Sequence, residues 1–229
     1  MALAKRIAVT LPAGPRIEDT VSRIQWAEEE GIADAWFSDS GAPDTLTQVA
    51  AIAHQTKNIR IGTAVTPVYT RSPSVLAASA NVIGQLLPDR FVMGLGSSSQ
   101  TIMGQFNGIP LDKPLTRVRE TAELVKIMLT GEKTNYDGET LFSKGYRQAP
   151  MENPPPIYLA ALRPKMIEMA AEVGDGVIFN LWPKAALPKM MEHIAIGAAK
   201  AGKKAEDVEI VNRAMVLCTD DKEYGRNLF

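Results

Sequence analysis

The residues best suited to chemistry follow two apolar runs, IRIGTAVTPVY (59–69) and FVMGLGSSS (91–99). Each run begins with large apolar residues and shifts towards Gly, Ser, Thr or Ala. This change is typical of a buried parallel strand whose carboxyl end leaves space for a ligand. After the second run, the hydroxyls of Ser97, Ser98 and Ser99 and the backbone N–H groups beside Gly96 are suited to binding a phosphate or another polar group. A solvated serine-rich loop is the alternative interpretation.

A second candidate anion site lies in the segment AALRP, residues 160–164. Pro164 suits the first position of a helix, so the free N–H groups and the dipole of that helix would point at any ligand there. Arg163 is either a charge partner for such a ligand or a solvent-exposed arginine. Asn180 follows another apolar run, where its amide either hydrogen-bonds a polar ring edge or ends the strand in a turn.

Metal and acid–base chemistry have little support in the sequence. Neither histidine, His54 or His193, belongs to a recognisable metal-ligand motif, so no metal site is expected. No serine lies in a G-x-S-x-G motif, and Cys218 is more typical of a small core residue than of a nucleophile. So few candidate acids and bases favour chemistry carried by a cofactor, and the sequence assigns no catalytic residue.

Composition excludes several classes of protein. The chain has 229 residues, 45% hydrophobic, and a net charge of -1 without charge blocks. Nucleic-acid binding is therefore not expected. No apolar run approaches the roughly 18 residues of a membrane span, and residues 1–10 do not have the pattern of a signal peptide. The single cysteine cannot form an internal disulfide, so we expect a cytoplasmic protein.

Strand-like and helix-like segments alternate along the chain. We predict strands at 6–11, 34–38, from 59, 91–95, 157–160, 176–179 and 208–217, and helices at 19–30, after Asp44, from Pro73, 114–129, 164–173 and 184–201. Asp44 and Ser72 suit helix N-caps. This α/β alternation favours a single-domain (β/α)8 TIM-type barrel over residues 1–229. An open doubly wound sheet is disfavoured because the PAGP turn after the first strand is not a phosphate loop.

The predicted barrel lacks its last βα unit. Either that unit lies beyond residue 229 or this is a seven-unit barrel, and we favour the first because an open barrel exposes two strand edges. Two long connections interrupt the alternation of strands and helices. Residues 96–113 lie on the carboxyl side of a strand, where they could cover a ligand. Residues 130–153 contain Asp137-Gly138, which predicts a hairpin. This hairpin should begin on the opposite face and serve a structural or subunit-contact role.

A resemblance to a known family rests on a series of motifs in a fixed order. These are FSDSGAP (37–43), GTAVTP (62–67), SPSVLAASA (72–80), LLPDRFVMGLGSSS (86–99), RVRETAELVKIMLTGE (117–132), YDGETLF (136–142), PPIYLAALRPKM (155–166) and GDGVIFN (174–180). With them the chain resembles the luciferase-like monooxygenase family along nearly its whole length. Within that family it is similar to the branch that uses the deazaflavin coenzyme F420.

The resemblance implies a cofactor site. A non-proline cis peptide at Ala64–Val65 would support the flavin ring, and the α-helix start after Arg163 would bind the F420 phosphate. The implied cofactor-binding residues are Asp39, Ser40, Ala64, Val65, Gly96, Ser97, Ser98, Ser99, Ala160, Ala161, Leu162, Arg163 and Asn180. Similar sugar-phosphate dehydrogenases carry a histidine near the position of Ser40 and an acid near that of Ser99, so their mechanism is in doubt here.

The resemblance also implies an activity. We expect an oxidoreductase that transfers a hydride between F420 and a small organic substrate, and that acts as a homodimer. If the cofactor is FMN, an FMN-dependent monooxygenase is expected instead. A non-catalytic flavin-binding protein is the other alternative.

Overall fold

The computed structural model describes residues 6–12, 14–40 and 42–227. Its strands are β1 (Ala8–Thr10), β2 (Asp34–Phe37), β3 (Arg60–Thr63), β4 (Thr66–Pro67), β5 (Phe91–Gly96), β6 (Asn135–Asp137), β7 (Phe142–Lys144), β8 (Ile157–Ala160), β9 (Gly176–Asn180) and β10 (Glu209–Arg213). Its α-helices are α1 (Ile17–Glu29), α2 (Thr45–Ile52), α3 (Pro73–Leu86), α4 (Pro114–Leu129), α5 (Pro164–Val173), α6 (Leu187–Lys200) and α7 (Lys222–Asn227).

The parallel strands form a nearly closed barrel of the TIM type. Their order is β1-β2-β3-β5-β8-β9-β10, and β4 also pairs with β5. In the described part of the chain, β1 and β10 are the two ends of this order and do not pair. The α/β barrel is therefore confirmed, with the strand carboxyl ends gathered at one face.

Local sequence signals account for several element boundaries. The Asp44 carboxylate accepts a hydrogen bond from the Thr47 backbone N–H at 2.8 Å, which caps α2. The Ser72 hydroxyl caps α3 in the same way, and Pro73 occupies the first turn. The predicted bounds of α4, β8 and α5 agree with the structure.

The prediction for the last strand was wrong at its end. It was expected to run from 208 to 217, but β10 ends at Arg213. Val216 is 81% exposed, and Met215 and Leu217 are exposed as well. Since β10 pairs only with β9 in the described part of the chain, its far side offers no strand partner for these apolar residues.

An ion cluster fills the amino-terminal end of the barrel interior. Arg60 of β3 donates to Asp34 of β2 at 2.7 Å and, with its other terminal nitrogen, to Glu209 of β10 at 3.1 Å. The Tyr158 hydroxyl lies 3.4 Å from the same guanidinium. Burial, followed by its hydrogen bond to Glu209, raises the pKa of Tyr158 above its ordinary value. The charges are thus paired within the barrel rather than left isolated.

The hairpin of β6 and β7 is confirmed between residues 135 and 144. It leaves the amino-terminal face after α4 and runs along the outside of the barrel. Glu120, in the second turn of α4, accepts hydrogen bonds from the backbone N–H groups of Glu139, Thr140 and Leu141 at 2.6–2.9 Å. The hairpin tip therefore lies beside the start of α4, near the carboxyl-terminal face.

Candidate cofactor site

A cavity of about 570 Å³ opens at the carboxyl ends of the strands. The residues that line it are Ser38, Asp39, Ser40, Ala64, Val65, Ser97, Ser98, Ser99, Ile102, Pro114, Leu115, Ala160, Ala161, Leu162, Arg163, Lys165, Met166, Ile178, Phe179, Asn180 and Arg213. Segments distant in sequence supply these residues, since the carboxyl ends of parallel strands meet at one face.

The cavity is wide beside β5 and β8 because the interior positions of these two strands lose bulk towards that face. Alternate residues of a strand point inwards; on β5 they are Val92, Gly94 and Gly96, and on β8 they are Tyr158 and Ala160. The buried cluster of Trp36, Val92, Tyr158 and Ile178 fills the middle of the barrel. Above it the interior positions of β5 and β8 are Gly94, Gly96 and Ala160, and Ile178 is both part of this cluster and part of the cavity lining.

The ladder between β3 and β5 is interrupted beneath the cavity. Gly62 pairs with Val92 and Thr66 pairs with Leu95, so three residues of one strand face two of the other. The Thr63 hydroxyl bridges the gap: it donates to the Gly94 carbonyl at 2.8 Å and accepts from the Gly94 N–H at 3.0 Å. The Ala64–Val65 peptide bond within this bulge is cis, as the resemblance implied. Ala64 and Val65 both line the cavity.

Gly96 is the one predicted cofactor-binding residue that does not line the cavity. It lies beneath the lining, where a Cβ atom would be 2.6 Å from Val65 Cγ2 and 3.1 Å from the Ala160 Cβ. Glycine is therefore needed here so that the Val65 side chain can pack over β5.

The three serines after β5 form one wall of the cavity. Ser98 has a φ of +63°, a left-handed conformation that turns the chain away from the strand. The Ser99 hydroxyl accepts from the Ile102 N–H at 3.2 Å and so begins a short π-helical segment, Thr101–Phe106. Residues 96–113 are thus partly ordered by Ser99 rather than being a loop throughout.

The wall beside β2 carries a charge-compensated carboxylate. Asp39 is buried, and Arg71 donates to it at 2.8 Å. Arg71 also pairs with Asp44. Burial alone would lower the pKa of Arg71, but its hydrogen bonds and charge interactions with Asp44 and Asp39 raise it. Ser40 lies next to Asp39 on the same wall.

The start of α5 supplies hydrogen-bond donors to the opposite wall. Arg163 is the N-cap residue and Pro164 the first residue of the helix. The first backbone bond of the helix is donated by Ile167 to the Arg163 carbonyl, so the N–H groups of Lys165 and Met166 precede it. Both residues line the cavity. Within the described residues, the Arg163 side chain has no acidic partner.

Several lining residues were not predicted from the sequence. They are Ser38, Ile102, Pro114, Leu115, Lys165, Met166, Ile178, Phe179 and Arg213. Arg213 ends β10 as Asn180 ends β9, so the rule that ligands lie at strand carboxyl ends would have found it if the strand end had been placed correctly. Leu115 lines the cavity because of the path that residues 97–113 take, and no local sequence pattern predicts that path.

These groups fit a flat tricyclic ring with an anionic side chain. Ala64, Val65, Ala160 and Ile178 form an apolar bed, and the donors at the start of α5 open into the same cavity. The described part of the chain contains no group of three or more His, Cys, Asp or Glu residues that could hold a metal ion. None of its helices is long and apolar enough to cross a bilayer.

Two curated relatives cover most of the chain. The 5,10-methylenetetrahydromethanopterin reductase of Archaeoglobus fulgidus is 31% identical over 205 residues, which are 89% of this chain and 61% of the reductase. The F420-dependent glucose-6-phosphate dehydrogenase of Nocardia farcinica is 32% identical over 227 residues, covering 92% of this chain and 67% of that enzyme. The chain therefore spans less than two thirds of the length of the reductase.

The fold agrees with a solved structure of similar type. The coenzyme F420-dependent tetrahydromethanopterin reductase from Methanopyrus kandleri superposes with a TM-score of 0.86 at 21% identity, over 95% of this chain and 68% of that one. At this identity the likeness shows the barrel fold alone. The model of the luciferase-like monooxygenase family matches residues 1–227. The chain therefore belongs to the luciferase-like monooxygenase family.

Proposed function

We propose that this chain binds F420 and belongs to an oxidoreductase that transfers a hydride between F420 and a small organic substrate. The observation that carries the proposal is the continuity of one cavity, about 570 Å³ in volume, between an apolar bed and the donors at the start of α5. The F420-dependent dehydrogenase among the relatives supports the choice of F420 over FMN.

Each part of the cavity has a role in this proposal. Ala64, Val65 and Ile178 hold the flat ring by apolar contact. The phosphate is bound by the N–H groups of Lys165 and Met166 and by the Arg163 guanidinium. Gly96 supports the lining from beneath. The other predicted binding residues complete the lining: Asp39, Ser40, Ser97, Ser98, Ser99, Ala160, Ala161, Leu162 and Asn180. When bound, F420 supplies the hydride chemistry; the protein orients it and excludes water.

The substrate class proposed is a small organic molecule other than a sugar phosphate. Ser40 and Ser99 stand about where the similar sugar-phosphate dehydrogenases carry a histidine and an acid. A serine hydroxyl does not exchange a proton readily near neutral pH, so it cannot replace either group as an acid or base. We further propose a cytoplasmic homodimer, which light scattering of the purified protein and cell fractionation would test.

Fluorescence titration tests the proposal directly. F420 and FMN are added separately to the purified protein, and we expect F420 to bind at least about tenfold more tightly. A160L should abolish binding because the larger side chain fills the bed beside Val65. A78L, the same change at an exposed position of α3, should not.

The outcomes separate the alternatives. Tighter binding of FMN would replace the proposal with an FMN-dependent monooxygenase. F420 binding without turnover over a broad panel of alcohols, aldehydes, imines and enones would favour a non-catalytic binding protein. Equal affinity in A160L and wild type would show that the ligand lies elsewhere.

A further inference from the structure

Lys165, at the rim of the cavity, forms an ion pair with the Glu168 carboxylate, which also has other hydrogen-bond donors. Glu168 of α5 is buried, with its side chain 7% exposed. Three donors surround its carboxylate: Lys200 at 3.0 Å, His193 at 3.2 Å and Lys165 at 3.3 Å. Lys200 and Lys165 share the same oxygen, Oε2, so loss of Lys165 still leaves a cation on that oxygen.

The carboxylate itself is held in place by the packing of α5 against α6. A Cβ atom at Gly197 would lie 2.0 Å from the Glu168 carbonyl oxygen, so the two helix backbones are in close contact there. Lys200 and His193 come from α6 and bind Glu168 across this contact. Glu168 therefore stays fixed and paired in either position of the Lys165 side chain.

The Lys165 side chain is largely exposed and lines the cavity. Its side chain is 80% exposed, although it contacts Glu168. An exposed ion pair of this kind adds little to stability, because water screens the charges and the side chain loses rotamer freedom. Lys165 also lines the cavity beside Arg163.

We propose that Lys165 is an exchangeable cation, which pairs with Glu168 in the free protein and turns to the phosphate of the cofactor when F420 binds. This inference rests on the proposed function. Arg163 and Lys165 flank Pro164, so the phosphate then has two charged donors instead of the single one that Arg163 supplies. Glu168 competes with the ligand for Lys165.

Opposite effects of two substitutions follow from this competition. K165Q removes the cation, so the dissociation constant for F420 should rise about tenfold. E168Q removes the competitor, so the dissociation constant should fall by about two- to fivefold. The phosphate-free ribityl deazaflavin presents the same ring without the anion, and its affinity should be the same within about twofold in both variants.

The test is a fluorescence titration of wild type, K165Q, K165R, E168Q and K57Q with both ligands. K57Q makes the same change of charge at an exposed position beyond α2 and should bind both ligands as wild type does. K165R should retain most of the affinity for F420. Since Lys165 is mostly exposed, K165Q should fold, and its circular dichroism and melting temperature provide the check.

The failures are distinguishable. If wild type binds F420 but K165Q and K57Q bind it equally, the exchange is wrong and the proposed function stands. Equal weakening of F420 and of the phosphate-free compound in K165Q would show a structural role and also overturn the inference. If wild type binds neither ligand, the proposed function fails and the inference fails with it.

Discussion

Substitution of Gly94 by alanine should disrupt the floor of the cavity. Gly94 lies on β5 opposite the bulge of β3, where an added Cβ would lie 1.8 Å from the Thr63 carbonyl oxygen and 2.9 Å from Ile178 Cδ1. Because an ordinary carbon–oxygen contact is about 3.3 Å, the two strands must move apart by about 1.5 Å. The atom that is struck belongs to the backbone, so a change of rotamer cannot relieve the clash.

The cost has two parts. Overpacking of a tight interior costs about 1–3 kcal/mol. Separation of the strands also breaks both hydrogen bonds between the Thr63 hydroxyl and the Gly94 backbone, at about 1 kcal/mol each. The free energy of unfolding should therefore fall by about 3–5 kcal/mol. Ala64 and Val65 belong to the displaced segment, so F420 affinity should fall as well.

Urea denaturation followed by circular dichroism, with a parallel F420 titration, measures both effects. G31A is the matched control, because Gly31 follows α1 with a φ of +73° and no neighbour within 4 Å of an added Cβ. It should lose only about 1–2 kcal/mol and bind F420 normally. If G94A is as stable as G31A and binds F420 like wild type, the argument from close backbone approach is refuted.

Three further predictions concern charged groups. The hydrogen bond from Lys200, with those from Lys165 and His193, lowers the pKa of Glu168 to about 2. Because this pKa lies below its ordinary value, the stabilisation is present above pH 4.5 and should be lost between about pH 5 and pH 2. Other carboxylates with lowered pKa values titrate in both proteins, so the readout is the difference in free energy of unfolding between wild type and E168Q, which should shrink as the pH falls from about 5 to about 2. R60M removes the cation that Asp34 and Glu209 share, while Arg6 remains 2.7 Å from Asp34. It should cost about 1.5–3 kcal/mol in urea denaturation, and a loss below about 1 kcal/mol would contradict the structural role of the cluster. E120Q weakens the anchor of the hairpin tip, so hydrogen exchange there should accelerate while the melting temperature changes little; protection equal to wild type would argue against the anchor.

Local patterns predicted much of the fold but little of how distant segments meet. The bounds of α4, β8 and α5 follow from helical spacing and proline positions, both of which are properties of neighbouring residues. The end of β10 was misplaced because the apolar residues 214–217 carry the pattern of a strand, while the described chain offers no neighbour for them. Pairing depends on a partner strand, which periodicity does not reveal.

The candidate site likewise combines features that local patterns predict with features that depend on contacts between distant segments. The Ala64–Val65 bulge came from the resemblance, since the residues alone indicate an ordinary strand end. Lys165 and Glu168 stand three residues apart on a helix, a spacing that predicts their contact. However, Lys200, the other cation on the Glu168 carboxylate, lies on α6, 32 residues after Glu168. Only the packing of the two helices brings it close to Glu168.

The ion cluster at the amino-terminal end of the barrel has a consequence for the order of folding. Arg60 and Glu209 are 149 residues apart in sequence, yet their side chains are hydrogen-bonded inside the barrel. Closing so long a loop is entropically costly, and contacts of this kind form late. A nascent chain that has not yet formed β10 therefore holds Arg60 beside Asp34 without Glu209. Arg6 also pairs with Asp34, at 2.7 Å, so the cluster contains two cations and two carboxylates. Its formal charges therefore cancel only when β10 has docked and brought Glu209 into place.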